Sequence, residues 1–579
     1  MTTRVWDSIS LVRALNAAAT KNEDTIIELE EAVYEVNEVK NVKRGKIYLR
    51  GPELGDYDNS WEAKVIKNGW RASVVGAVAL CLKVEKPSRG AKILRIVGAV
   101  LFAKLGEVWL RRWRINRRRK PGGKRARIMA KDGLFEIQGD SQLRLERISI
   151  ASFGFKAAVR VERNSKIHIT ECDLGCAGGN GLELSDDAEA SIELCAISNC
   201  GRSGILLCGS GAATLYVSKD CIFSENKRFG MELQGGKQAI VESSNFKDCG
   251  ICISDRGTWQ AMGQGVIFRH CVLEGRSVCL PGLSIIGDGV PKSILIDTCT
   301  IIDVSGTGFY SLGNHCVTLK NCLISGATMA GIEALRGSQL RIYDSRIIQC
   351  NGAVVMHRDA QGSFYSCFFS RSEGGAVGIF TGARCNLSHC TIANARGVGL
   401  QVCQGNATIS NCRILNNGET ALCLGGRDIR SRDHRRRPSS SLQKSSKHPS
   451  SRLCINDCYV RGSGNGALLV IPHTPDDQYD SNVDAVQHYV FAQDSIFHDV
   501  QASLRFDAPA DGYLAGNQIL GPLSLTNWSG TTRLSWKVER LLHIGSRGSN
   551  CGLNPASPLR LLHDPVLIRL IVLFAAGGY

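Results

Sequence analysis

One phrase constrains this chain more than any other: Ala407 to Leu424, ATISNCRILNNGETALCL, recurs in altered form along most of the 579 residues. Aligned on Cys412, the same slot holds Ile148, Cys172, Cys195, Cys221, Ser244, Cys271, Cys299, Cys322, Ser345, Cys367, Cys390, Cys458 and Ser495. Most steps between slots are 22 to 24 residues, and the exceptions are longer. A period of this length that slips toward insertions marks a solenoid whose coils differ by loops.

Within the unit, Ile409, Cys412 and Ile414 form one short apolar run and Ala421–Leu424 another. Related runs are Gly181-Leu-Glu-Leu184, Gly204-Ile-Leu-Leu207, Gly230-Met-Glu-Leu233 and Gly331-Ile-Glu-Ala334. They are too short for helices, alternate with period two and are bounded by Gly and Asn, which is the pattern of strands. The phase changes between Ile409 and Cys412, and the residue before the slot is Asp220, His270, Asn321, Asp344, His389, Asn411, Asp457 or Asp494. Those residue types tolerate positive φ best among non-glycines, so a stacked left-handed bend is expected in every coil.

Short strands, fixed bends and no helix between them predict an all-β parallel β-helix of about 14 coils. The unit resembles the repeat of the right-handed, pectin-lyase-like β-helix superfamily, which implies a right-handed parallel β-helix, and in character it is similar to the β-helix domains of intracellular F-box-type adaptors, although no F-box is legible. That architecture carries lyases, hydrolases, adhesins and adaptors alike, so the resemblance implies the fold and leaves function to the site.

The expected order is a capping helix within 1–24, a first coil over 25–52, a basic insertion over 53–132, the main rod over 133–426, an Arg/Ser-rich loop over 427–452, further coils over 453–525 and an irregular tail over 526–579. In the cap, Asp7 or Ser8 is the expected N-cap, and Ile9, Val12, Leu15 and Ala19 the buried face. Two basic runs, +11 over 111–131 and +7 over 427–452, together exceed the net charge of +16, so the rest of the chain sums to −2. Both interrupt the rod. Arg117, Arg118, Arg119, Arg435, Arg436 and Arg437 are therefore the expected polyanion contacts. Apolar stretches in the insertion and the tail are shorter than a membrane span requires, so none is expected.

Of the 24 cysteines, ten occupy the repeat slot, where a small apolar side chain suits an interior stack. Reduced packing thiols are the reading, with disulfides between coils the rival. Together with the lack of a legible secretory signal, this points to the cytoplasm or nucleus.

The polygalacturonase-like motif set is missing; Asp186-Asp187 alone resembles part of it. The best outward acids are Glu183, Glu232 and Glu333, of which the first two lie two coils apart, about 9.6 Å, at the edge of the spacing used by inverting glycosidases. His270, His315 and His389 are placed too far apart to share a metal, and neither a metal nor a cofactor is expected. The expected function is a non-enzymatic interaction scaffold with a protein partner, no catalytic residue being assigned. The alternative is a polysaccharide lyase or glycoside hydrolase of the same fold, with Glu183, Glu232, Asp186 and Asp187 as candidates.

Deleting 428–451 shortens the 46-residue step from Cys412 to Cys458 to 22, a normal coil. The shortened protein should stay folded, with stability changed by about 1 kcal/mol or less. It should lose much of its salt-dependent affinity for heparin or RNA, measurable by retention on a heparin column across a salt gradient.

Overall fold

The computed structural model describes residues 2–51 and 125–533, with breaks at 21–23, 31–32, 37–39, 43–45, 210, 255–264, 276–279, 289–292, 426–449, 463–465, 472–486, 500–502, 521–522, 525–526 and 530. The basic positions Arg117, Arg118, Arg119, Arg435, Arg436 and Arg437, and the tail beyond 533, lie outside the described residues.

Each coil contributes one strand to each of three parallel sheets. Sheet A takes the five-residue strands such as Lys166–Thr170 and Asn406–Ser410, sheet B the strands after the slot such as Thr391–Ala393, and sheet C the Gly-led runs such as Leu182–Leu184. Every strand pairs with its counterpart one coil before and after, as in Ile167↔Ala190 on A, Leu174↔Ile197 on B and Leu182↔Ile205 on C. Among the described residues sheet A has 19 strands, and B and C have 17 each, so there are more coils than the period alone suggested. At about 4.8 Å per rung the rod is roughly 75–80 Å long.

Alternation builds the core. On sheet A, Leu145, Ile169, Ile192, Val217, Val241, Phe268, Ile296, Leu319, Ile342 and Phe364 fall in register on successive rungs and are all buried. Burial of side chains of this size stabilises by about 1.5–3 kcal/mol each, which offsets the ordering of the short strands.

The turn from A to B is the expected bend. Asp220, His270, Asn321, Asp344, His389, Asn411, Asp457 and Asp494 all have φ between 49° and 61°. The same column also holds Arg147, Glu171, Leu194, Ser243, Thr298 and Ser366 in that conformation, which residue type alone did not reveal. The stacked register imposes the bend even where the side chain opposes it.

Immediately after the bend, the slot side chains turn inward and are buried. Their thiols are hydrogen-bonded: Cys412 Sγ donates to Ser410 O at 3.1 Å, and the N–H of Cys390 reaches Cys412 Sγ at 3.4 Å. Ser345 and Asn517 fill the slot with stronger groups, Ser345 Oγ accepting from Cys322 N at 3.1 Å and Asn517 Oδ1 from Ser495 N at 3.0 Å. All described cysteines are free, and only Cys208, Cys316 and Cys454 are half-buried rather than buried. Burial pushes the Cys172 and Cys322 thiols up to about 12.

Helix α1, Ser8–Thr20, closes the first coil, after a strand Thr2–Val5 that pairs with Thr25–Leu29. Asp7 is the N-cap: its Oδ1 accepts the Ser10 N–H at 2.6 Å, which holds the carboxyl below its ordinary range. The buried face is Leu11, Leu15 and Ala18, not the Ile9/Ala19 stripe, and Ile9 is 66% exposed. The helix is rotated because Leu11 and Leu15 plug the end of the coil.

The rod also resumes earlier than expected. Strand Ala126–Ala130 pairs with Val33–Val36 and Ile148–Ser152, so the basic insertion interrupts the second coil between its A strand, Lys46–Arg50, and its B strand. Near the other end, Thr531–Arg533 adds a further A strand inside the expected tail. At the second interruption, Leu424 pairs with Val402 and Arg452 with Asn406, and the three residues between Val402 and Asn406 match those left between Leu424 and Arg452 by removing 428–451.

Native protein should titrate few thiols, and denaturation without reductant should release nearly all of the 24. Because burial pushes the Cys172 and Cys322 thiols up to about 12, their contribution is complete below the ordinary thiol range near 9 and is lost as pH rises toward 12, so Tm should fall across that window. For the bend, Leu194→Asn removes an aliphatic side chain from a φ of 54° and should raise stability by about 1 kcal/mol, read as an increase in Tm.

Candidate functional site

Period two sends alternate residues of sheet C outward, and register aligns them into columns along the rod. Strands Phe135–Ile137, Val159–Val161, Leu182–Leu184, Ile205–Leu207 and Met231–Leu233 place Glu136, Arg160, Glu183, Leu206 and Glu232 on consecutive rungs of one column. Two residues further along the coil, Gln138, Glu162, Cys208 and Gln234 flank it.

These side chains are joined. Arg160 Nε lies 2.7 Å from Glu162 Oε1 and 3.4 Å from Glu183 Oε1. Gln138 Nε2 donates to Glu136 at 3.0 Å and to Glu162 at 3.1 Å, and Asn180 Nδ2 donates to Glu183 Oε2 at 3.1 Å. Glu232 is 3% exposed and fully engaged: Ser203 Oγ donates to Oε2 at 2.8 Å, Gln234 Nε2 to Oε1 at 2.7 Å, and Arg228 Nη2 lies 3.2 Å from Oε1. A carboxylate that deep is tolerable because donors replace its water. Glu183 is more open, its side chain 21% exposed. Burial and the charge of Glu183 push the neighbouring Cys208 thiol up to about 11, which makes it a poor nucleophile.

The other sequence candidates fall elsewhere. Asp186 and Asp187 lie in the turn leaving sheet C: Asp186 has φ 56°, and Asp187 Oδ1 accepts the Ala212 N–H of the next coil at 2.6 Å. Glu333 is on the same outward column as Glu232 but four rungs on, about 19 Å away, where Thr307 Oγ1 donates to it at 3.0 Å. Beside it, burial and the Glu333 charge raise the Tyr310 hydroxyl. His270 and His389 are bend residues. His315 faces the core, with Nε2 2.8 Å from Ser311 Oγ and Nδ1 3.2 Å from Gly287 O; burial lowers its pKa. Among the described residues no group of three or more His, Cys, Asp or Glu could hold a metal, and no helix is long and apolar enough to cross a membrane.

Sequence reasoning missed Glu136, Arg160, Glu162 and Arg228. Leu134-Phe-Glu-Ile137 and Ala158-Val-Arg-Val161 carry the same apolar-polar-apolar signature as the strand of Glu183, and aligning them would have extended the column.

A model of the right handed beta helix region matches residues 133–290, 281–433 and 351–471, more than half of the chain, and the protein belongs to that family. The match does not reach the finer resemblance to F-box-type adaptors. No curated protein matches in sequence. Among solved structures, the chain is similar to the periplasmic alginate epimerase AlgG at 11% identity and TM-score 0.28, covering 71% of this chain and 77% of that one. It is similar to the Agl-KA catalytic domain at 10% identity and TM-score 0.30, covering 62% and 61%, and to the alginate lyase AlyF-OU02 at 10% and 0.28, covering 71% and 83%. The expectation of a non-enzymatic scaffold is set aside in favour of its carbohydrate-active alternative: the solved structures found are an epimerase, a catalytic domain and a lyase, and no scaffold protein is among those named. At such identities and TM-scores the likeness transfers neither a residue nor an activity to this chain.

Proposed function

We propose that the protein acts on a polysaccharide laid along the outward face of sheet C, with Glu183 and Glu232 as its acid–base pair. The observation that supports this reading is the shared column: the two carboxylates stand two rungs apart, about 9.6 Å, on a rigid sheet with only Leu206 between them. Inverting glycoside hydrolysis needs two carboxyl groups about 6.5–9.5 Å apart, one protonating the leaving oxygen and the other activating a water on the opposite side. Glu183 is the member open to a bound chain; Glu232, 3% exposed and held by Ser203, Gln234 and Arg228, takes part only by exchanging one of these partners for a substrate or water oxygen when a chain is bound. A groove of rungs suits a polymer, because each rung offers the next sugar a similar set of donors: Gln138, Arg160 and Asn180 border the pair on one side and Gln234 on the other.

The test is an activity screen on neutral and acidic polysaccharides with intact protein. New reducing ends without unsaturation identify hydrolysis, and unsaturated ends identify elimination. Glu183→Gln should lower kcat by at least about 100-fold with the fold retained by circular dichroism, and Glu232→Gln should do the same. Turnover unchanged in both variants, or no turnover on any polymer, overturns the assignment.

A further inference from the structure

Away from sheet C, on the outward side of sheet A, three guanidiniums gather around one carboxylate. Tyr48 and Arg50 lie on the strand Lys46–Arg50, and Arg144 and Glu146 on its neighbour Gln142–Glu146, with Tyr48 opposite Arg144 and Arg50 opposite Glu146. Arg147 follows in the bend, at φ 56°. Arg147 Nη2 is 3.3 Å from Glu146 Oε1, whereas Arg144 Nη2 and Arg50 Nε are 3.8 and 4.0 Å from Oε2, beyond hydrogen-bond length. Arg50 Nε instead donates to Tyr48 Oη at 3.1 Å. The Arg50 and Arg144 guanidiniums both lie over the Tyr48 ring, at 4.9 and 4.8 Å from its centre.

Arg147 is the unusual member. Its side chain is 15% exposed, and its buried Nε has no hydrogen-bond partner among the described residues. An orphaned buried donor on a cation costs free energy that one 3.3 Å contact does not return. Three positive charges face Glu146, and Glu28, opposite Arg50 on its other side, is balanced by Arg4 at 3.3 Å, leaving +2. Glu171, one rung on in the bend column, makes no ion pair with them among the described residues. Planar guanidinium forks are matched by tetrahedral oxyanions, and a phosphate monoester carries about −1.5 to −2, close to the surplus.

We propose that Arg50, Arg144 and Arg147 form an anion site for a phosphate or phosphomonoester group, with Tyr48 holding the first two guanidiniums in place. Glu146 sets the charge of the site so that a dianion neutralises it and a monoanion does not. The inference stands on these residues alone and does not depend on the reading of sheet C.

Calorimetric titration of the whole protein with inorganic phosphate tests it, with a sugar phosphate, sulfate and acetate as further arms. Phosphate or the sugar phosphate should bind saturably, the tighter of the two naming the source; acetate, a monoanion, should bind more weakly, and sulfate, a dianion at every pH used, is the control whose binding does not weaken in mild acid. Affinity should drop as pH falls below about 6, where the dianion takes up a proton. Arg144→Gln, at a position 57% exposed and outside the core, should weaken binding about ten-fold or more, and Arg147→Lys should do so while retaining the charge. Glu146→Gln removes the negative charge facing the three guanidiniums and should tighten binding of the phosphate dianion. No saturable binding of either phosphate arm at roughly 10 mM overturns the site. So does an unchanged affinity in both arginine variants.

Discussion

The constraint on which everything else depends is backbone pairing between rungs at about 4.8 Å. Once each strand is fixed beside its counterpart, a residue's surroundings are set by its own column more than by its sequence neighbours. Leu194 adopts a left-handed bend because its neighbours in the column do, and Glu232 can be buried because Ser203 from the preceding coil reaches it. The same pairing turns scattered acids into a row. Glu136, Glu183 and Glu232 are 96 residues apart at the extremes, yet belong to one face a few rungs long.

Column logic also explains what could be read from the sequence. The slot cysteines, the Asn/Asp/His bends and the Gly-led strands repeat within single coils, so period and phase were enough to place sheets, core and turns. The rotation of α1 was not legible, because which of Leu11 or Ile9 points inward depends on the shape of the coil end it plugs. Nor was the strand Ala126–Ala130: its alternation, Ala126, Ile128 and Ala130 inward, is masked by an arginine-rich run that continues up to it. At the sheet C site, position was legible and partnership was not. The column of Glu183 and Glu232 follows from alignment, whereas the Arg228, Asn180 and Ser203 contacts come from turns whose reach only the fold reveals.

The scaffold expectation failed for a related reason. Isolated outward glutamates on a strand look like ordinary solvated polarity, and nothing in one coil distinguishes them from it. Across several coils the same acids are clamped by arginine, amide and hydroxyl groups, and Glu232 is withdrawn from water. Preorganised charge of that kind costs desolvation and calls for a reason beyond solubility.

The corner leading from sheet C back to sheet A has a further consequence. In most coils it is two to seven residues long, but 10 residues follow Ser254, 25 follow Leu424 and 16 follow Val470, without loss of pairing on either side. Length at this corner is thus decoupled from the lattice of the rod. Descendants of such a chain can lengthen, shorten or exchange these connections beside the acid-bearing sheet while the sheet itself is inherited unchanged, so the surroundings of that face can diversify without the core being redesigned.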